Sequence, residues 1–469
     1  PIQLTLLGIG AVIGTGIFVL TAEAGQKAGP GMMVAFVIAA IVCGLAALAY
    51  SELAAMIPVS GSAYTYTYGV LGEFIAWVVG WALGLEYAIG AATVCVGWSG
   101  YMNGLLTANG YGLPEFLRSG MFSGGGFNIL AFLIGLAVTV LLYIGTSKSA
   151  RVNAVLVSIK IIALTVFIFL ALPAVKGTNF EPFLPGGWGQ PTGGVGVLGA
   201  AASIFFAYVG FDAVSTAAEE TKNPQRNIPI GLIGSLAICT IYYLLVGYSA
   251  AGSVGVQPML DAAGLPIDPS SPDMVTACAN SQALVCSKEP LAHVMRLLGH
   301  TSVGNWIGIA AILALPSVIL MMMFGQTRVF FTMSRDGLLP EPLSAVHPQF
   351  HTPYKITVLT GIVVALAASQ LPVGLLADTS NSGTLLAFAM VAIGVLILRK
   401  QQPERPRPFR TPAAWFVCPL AVAGCLLLFW NLSMFAKFFF VGWAAFGLVV
   451  YALYGYKRSH LANGTMSSS

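Results

Sequence analysis

Twelve apolar runs divide this chain, near residues 3–27, 32–57, 72–104, 127–146, 152–174, 195–219, 229–252, 301–333, 354–371, 374–398, 413–432 and 435–456. Each is close to or longer than the ~20 residues that carry an α-helix across a bilayer. In hydrocarbon the backbone must satisfy its own hydrogen bonds, so repeated runs of this kind dictate helices. Of the 469 residues 57% are hydrophobic and 8% charged, against about 25% charged in soluble domains. No aqueous core buries that much apolar surface, and the class read from the sequence is an all-α polytopic membrane protein with 12 transmembrane helices. The first run lacks a basic leader and a small-residue cleavage site, so it is read as a span and not as a signal peptide. The chain opens on Pro1 at that span, without a methionine, and a preceding piece is expected.

Basic residues orient the spans. With both termini cytoplasmic, six of the 21 lysines and arginines fall outside (Lys27, Arg118, Lys176, Lys288, Arg296 and Lys437), Lys160 lies within a run, and the other fourteen fall inside. Cytoplasmic loops carry such an excess, so a multi-pass protein of the plasma (inner) membrane is expected. The longest polar connection, about 253–300, then lies outside. It carries Cys278 and Cys286, which an oxidising compartment would let pair. Its end, Glu289–Gly299, reads as a short surface helix. The other five cysteines sit in apolar runs as small packing residues. No metal-ligand spacing, nucleic-acid patch or cofactor motif is present, and no protein partner can be named.

The first run is a poor helix. Gly8-Ile9-Gly10-Ala11-Val12-Ile13-Gly14-Thr15-Gly16-Ile17-Phe18 holds four glycines in eleven residues, each costing a helix interior about 1 kcal/mol relative to alanine. The plainer reading is a glycine-rich packing face. The sharper one is a helix broken at Gly14-Thr15-Gly16, because exposed backbone at membrane depth is tolerated only where protein, ligand or a cavity satisfies it. Five runs later Phe205-Phe206-Ala207-Tyr208-Val209-Gly210-Phe211-Asp212 again places glycine and a polar residue in mid-run. Interrupted spans in corresponding positions of two halves are the sign of an inverted-repeat transporter. The expected organisation is a core over 1–400, built of repeats at about 1–175 and 193–400, followed by two further helices and a tail over 401–469.

A broken helix exposes N–H groups on one half and carbonyls on the other, the first attracting anions and the second cations. The zwitterionic head of an α-amino acid matches both. The carboxylate is assigned to the N–H groups of Thr15 and Gly16, with the Thr15 hydroxyl, and the ammonium to carbonyls near Ile13 and around Phe206, Ala207 and Val209. Gly14 completes the break. Phe206, Tyr208 and Phe211 are read as wall or gate, against ordinary aromatic packing.

Ionisable groups inside spans are costly and carry a role by default. Lys160 is proposed to reach the freed carbonyls of the first span, coupling its protonation to helix closure; a static structural lysine is the alternative. Glu86 and Asp212 are candidates to carry a proton or line the pocket. Glu52 is expected to anchor a loop, Glu73 to sit at a helix N-terminus, and Glu219 and Glu220 to be solvated.

Four stretches carry a family resemblance: GIGAVIGTGIF; AYSELAAMIPVSGSAYTYTYGVLGE at 49–73; FFAYVGFDAVSTAAEETKNPQRNIPIGL at 205–232; and QTRVFFTMSRDGLLP at 326–340. The chain resembles the amino acid–polyamine–organocation transporters, and among them bacterial relatives of the cationic amino acid transporters. That resemblance implies the leucine-transporter fold, alternating access, and coupling to protons or exchange in place of sodium, with Lys160 at the matching fifth-span position. Tyr50, Pro58, Gly61 and Tyr64 match a motif expected to be structural or gating. Relatives that carry arginine or lysine are expected to have small residues on the eighth span, where this chain has Met321, Met322 and Met323. Met321 is taken as the one that faces the ligand and favours small and medium neutral substrates over cationic ones.

The expected function is therefore a secondary active importer of L-amino acids, coupled to protons and needing no other cofactor, with exchange or sensing without transport as alternatives. An enzyme would need a nucleophile facing a base, and no Ser–His or paired-Asp arrangement appears in the runs. A channel would need polar stripes on several of them.

Overall fold

Backbone groups that cannot reach water pair within their own segment, and the outcome here is a succession of helices. The computed structural model describes residues 2–56, 62–145, 150–190, 193–212, 214, 222–279 and 281–456. Among them the only β-type pairing is two isolated bridges, Gly120 with Gly126 and Leu260 with Pro266. Pro58, Gly61, Glu219 and Glu220 lie outside the described residues.

The first run is in three pieces, α1 (Ile2–Val12), α2 (Thr15–Phe18) and α3 (Leu20–Ala28). Then come α4 (Met32–Met56), α5 (Ser62–Leu71), α6 (Glu73–Ala108), α7 (Ile129–Ile144) and α8 (Ala150–Ala171). The sixth run starts as α9 (Gly196–Ile204) and tightens into a 3-10 turn over Phe205–Tyr208. The rest are α10 (Pro224–Val254), α11 (Pro290–Leu297), α12 (Thr301–Arg335), α13 (Tyr354–Gln370), α14 (Val373–Gln401), α15 (Ala414–Trp430) and α16 (Met434–Val450). Seven helical stretches are long and apolar enough to cross a membrane, and the other five runs carry shorter apolar helices. Two of those five, Ile2–Val12 and Gly196–Tyr208, are short because the runs are broken.

Helix α6 is the axis. It has 36 residues, about 54 Å at 1.5 Å per residue, and between Ala76 and Cys95 nearly every side chain is buried. A helix apolar on all sides belongs in the middle. It packs on α12 and α14, while α4 packs on α10 and α7 on α13. In terms of the runs, the second meets the seventh, the third the eighth and the fourth the ninth. The first packs on the seventh as the sixth packs on the second; the third on the tenth as the eighth on the fifth; the first on the fifth as the sixth on the tenth. Each of these contacts has its counterpart five runs away. Helices α15 and α16 lie against α14.

The polar end that holds residues 253–300 is closed by the Cys278–Cys286 disulfide, Cα atoms 5.4 Å apart. Helix α11 covers the expected surface helix and buries Leu291, Ala292, Val294 and Met295. At the opposite end Tyr64 of α5 donates to Asp336 at 2.7 Å. Burial, and then the Asp336 carboxylate, push the Tyr64 phenol above its ordinary range, which keeps it a donor.

Glu52, near the end of α4, is an anchor. Its carboxylate accepts from Arg399 Nε (2.9 Å) and Nη2 (2.7 Å) and from the Thr411 N–H (2.7 Å), with Arg407 at 3.4 Å. It fastens the segment that follows α14 to α4. Replacing Arg399→Met removes two charge-assisted bonds from a buried carboxylate and is expected to cost roughly 2–3 kcal/mol. Thermal unfolding in detergent should show a lowered midpoint; an unmoved midpoint would discard the anchor.

Candidate functional site

The first helix stops where the glycines make it weakest. The last bond of α1 runs from the Ile13 N–H to the Ile9 carbonyl at 2.9 Å, and the next helical bond runs from Phe18 to Gly14 at 3.3 Å. Between them the N–H groups of Gly14, Thr15, Gly16 and Ile17 have no hydrogen-bond partner among the described residues. The Thr15 hydroxyl is also buried without a partner. It faces α6, where a Cβ added to Gly97 would meet Thr15 Oγ1 at 2.8 Å. A buried unsatisfied polar group costs about 1–3 kcal/mol, so a concentration of N–H donors and one hydroxyl at this depth is a place made for an acceptor. Free N–H groups at a helix N-terminus attract anions.

The sixth run breaks against the first. The 3-10 turn ends with the Val209 N–H on the Phe206 carbonyl at 3.2 Å. Gly210 follows at φ +109°, and a Cβ there would lie 3.0 Å from the Ala11 carbonyl oxygen, so only glycine fits. A Cβ on Gly16 would fall 2.2 Å from Ala207 Cα. The two breaks are thus in contact, Gly16 on Ala207 and Gly210 on Ala11. Ile13, Phe206, Ala207, Val209 and Phe211 are all buried around that crossing.

Carbonyls freed by the breaks are served by side chains of other helices. Lys160 of α8 donates to the Gly10 carbonyl at 2.7 Å, the oxygen that the missing Gly14 bond would have used. The Tyr243 hydroxyl of α10 lies 2.9 Å from the Val12 carbonyl and 2.8 Å from that of Ala207. A phenol has one proton to give, so one group is shared between the two breaks. Tyr101 donates to the Phe18 carbonyl at 2.6 Å. Asn381 of α14 donates to the Ala202 and Ser203 carbonyls at 2.7 and 3.1 Å.

The acidic pair lies beside the second break. Tyr87 donates to Asp212 Oδ2 at 2.8 Å. Glu86, its neighbour on α6, is fully buried, and its carbonyl accepts from Ser380 of α14 at 2.8 Å. The aromatic candidates divide. Tyr208 donates to the Phe36 carbonyl at 3.2 Å, and Phe211 packs on Phe388 at 5.3 Å and Tyr50 at 6.2 Å, which is ordinary aromatic packing. Phe206 remains next to the crossing.

The structure orients the three methionines of α12. Met321 is only half-buried. The residue of α12 that approaches the first break is Val318, whose methyls lie 3.4 Å from a Cβ placed on Gly14. One turn on, on the same face, Met322 is buried and its sulfur lies 2.8 Å from a Cβ placed on Gly90. Rotation about the helix axis, which no triplet of identical residues reveals, turns Met322 towards Gly90 of α6.

Sequence reasoning passed over Tyr243, Tyr101 and Asn381. For Asn381 a signal exists: Asp378-Thr379-Ser380-Asn381-Ser382 is a polar block inside an apolar run. For the tyrosines there is none, since an aromatic in a membrane run reads as packing.

The contact between the breaks makes Gly16 a sensitive test. Gly16→Ala inserts a methyl where Ala207 backbone already lies, and overpacking of this kind costs about 1–3 kcal/mol. The variant is expected to remain folded and monodisperse while losing the thermal stabilisation that a small neutral L-amino acid gives the parent. Equal stabilisation of both proteins would remove the crossing from the ligand site.

Comparison with known proteins agrees with this geometry. The family model described as amino acid permease matches residues 1–454. The branched-chain amino acid permease BcaP of Bacillus subtilis (strain 168) is 44% identical over 463 residues, covering 98% of this chain and 93% of the relative. The methylthioribose transporter of the same organism is 40% identical over 462 residues, with 98% and 93% covered. Cationic amino acid transporter 4, vacuolar, of Arabidopsis thaliana is 34% identical over 411 residues, with 86% and 63% covered. A chain of membrane-capable helices with this match along its length, and with two broken helices crossing at its centre, belongs to the amino acid permease family.

Proposed function

We propose that this permease imports small and medium neutral L-amino acids by proton-coupled alternating access, in the plasma (inner) membrane, with both termini cytoplasmic. The observation that carries the proposal is the crossing itself. Among the described residues, four N–H groups and the Thr15 hydroxyl stand without partners beside carbonyls at Val12 and Ala207 that share one phenolic proton. A carboxylate takes the first set and an ammonium competes for the second. The paired packing of runs five apart supports a five-plus-five inverted repeat of the leucine-transporter type, with twelve spans, repeats at about 1–175 and 193–400, and two added helices. The disulfide supports placing residues 253–300 outside, where thiols oxidise. BcaP is named for branched-chain amino acids, and the apolar side chains of Val318 and Met322 on the face of α12 nearest the first break suit an aliphatic chain better than a long cationic one.

Lys160 is the proposed link to the proton. An ammonium donates a stronger hydrogen bond than a neutral amine, so the Lys160 bond to the Gly10 carbonyl tightens on protonation and slackens on its loss. That bond ends on the last turn before the break. The protonation state of one side chain thereby biases the angle at which α1 meets α2.

Reconstituted vesicles test the whole reading. Labelled leucine, valine and alanine should accumulate in proteoliposomes under an imposed inward pH gradient, and absence of uptake with and without internal amino acid would end it. Lys160→Ala is expected to abolish gradient-driven accumulation while amino acid exchange persists; pH-driven uptake at the parent level would strip Lys160 of its role. For specificity, Met322→Ser should admit arginine as a competitor of leucine uptake and Met321→Ser should not. The reverse order would restore Met321 as the lining residue.

A further inference from the structure

One face of α12 points away from the other helices. Trp306 and Leu313 are 69% and 55% exposed on it, and Arg328 and Arg335 are exposed further along. Helical geometry sets all four within about 60° of one another round the axis. The helix is long and apolar enough to cross a membrane, so what covers this face is lipid. Trp306 marks one interface, since indoles gather at headgroup level. Arg328 follows 22 residues later, about 33 Å along the axis, against a hydrocarbon thickness of about 30 Å. Arg328 therefore falls at the phosphate layer of the opposite leaflet, and Arg335, about 10 Å further on, falls beyond it in water.

The Arg328 guanidinium is not engaged inside the protein. Its central carbon lies 4.8 Å from the centre of the Phe324 ring, one turn back towards the apolar middle. The bond from the Thr332 hydroxyl, at 2.9 Å, falls on the Arg328 backbone carbonyl. Among the described residues no carboxylate comes within ion-pair distance of Arg328, Arg335 or Lys355, whereas Arg399 is held by Glu52. Asp336, next to Arg335, accepts from Tyr64 at 2.7 Å. Lys355 is exposed in the first turn of α13, at the same end of the bundle, and α13 packs on α12. A charge at the edge of the hydrocarbon is tolerated where it reaches an acceptor. At this depth, on a lipid-covered face, the acceptor is a lipid phosphate. A guanidinium takes two phosphate oxygens at once, and two further cations at this end favour a lipid of net negative charge.

We propose that Arg328 binds the phosphate of an acidic phospholipid whose acyl chains lie along the apolar face of α12 between Arg328 and Trp306, with Arg335 and Lys355 supplying further positive charge. In the orientation proposed above, this lipid belongs to the cytoplasmic leaflet. The site itself depends neither on that orientation nor on transport.

Native mass spectrometry of the full-length protein in neutral detergent tests the site. Phosphatidylglycerol and phosphatidylcholine with identical acyl chains are titrated in turn, and the affinity of the first lipid bound is compared. Phosphatidylglycerol is expected to bind the parent roughly tenfold more tightly than phosphatidylcholine. Arg328→Gln is expected to abolish that preference. Arg328→Lys, which keeps the charge and loses the fork, should recover only part of it. Both changes fall on an exposed face, and an unfolding midpoint equal to the parent's in the absence of added lipid verifies that the fold is kept. Arg335→Gln, further from the phosphate, should lower the preference by about twofold. An undiminished preference in Arg328→Gln overturns the proposal, as does equal affinity of the parent for the two lipids. Displacement of bound phosphatidylglycerol by millimolar inorganic phosphate would give the site to a soluble anion and overturn it too. A dimer present in the parent and lost in Arg328→Gln, with lipid binding unchanged, would give the face to a second copy, with the same consequence. The measurement uses no amino acid and no gradient, so failure of the transporter reading would appear separately, as absent uptake by a parent that still prefers phosphatidylglycerol.

Discussion

Two short lengths of backbone lie in the middle of an apolar slab without the helical bonds that such a slab demands, and much of the polar chemistry of this molecule answers to them. Lysine, tyrosine and asparagine side chains from α6, α8, α10 and α14 reach in to serve the freed carbonyls at Gly10, Val12, Phe18, Ala202, Ser203 and Ala207. Among the described residues the N–H side is left unserved at Thr15 and Gly16. That asymmetry leaves donors open where the carbonyls are answered. A chain that met all its own needs at the breaks would hold nothing, and one that met none would not stay folded.

Much of this was legible beforehand, and the physics says why. Apolar runs of sufficient length can only be helices in a bilayer, so the element list follows from hydropathy alone. A cluster of glycines in such a run weakens it at a definable place, so the two breaks could be located to within a residue or two. Lys160 stood out because a charge in a run is expensive, and its reach to Gly10 follows from a break one turn away. What the sequence hid were choices that depend on rotation and on partners. Met321, Met322 and Met323 are indistinguishable until the axial orientation of α12 is known. Tyr243 and Tyr101 look like packing until their hydroxyls are seen on carbonyls. Lys27 was counted as one more basic residue near a run end, and burial against Asp378 could not be read from a position 351 residues distant.

The two polar centres differ in construction. At the crossing, side chains meet backbone, and the backbone atoms are fixed by the helices they terminate. At the disulfide-bearing end, side chain meets side chain across Lys27, Ser203 and Asp378. The first kind of construction holds its donors in fixed directions before anything meets them.

The reciprocal packing of runs five apart carries a consequence for how the chain comes to be folded. The second run finds its main partner in the seventh, the third in the eighth and the fourth in the ninth. Synthesis delivers the first five before any of these partners exist. The first half must therefore wait in the bilayer without its main packing partners, and Lys160 with only part of its eventual surroundings. Each later helix then docks onto one already there. The first five runs and the next five are thus not separate units of folding, and neither set is complete until the tenth run has arrived.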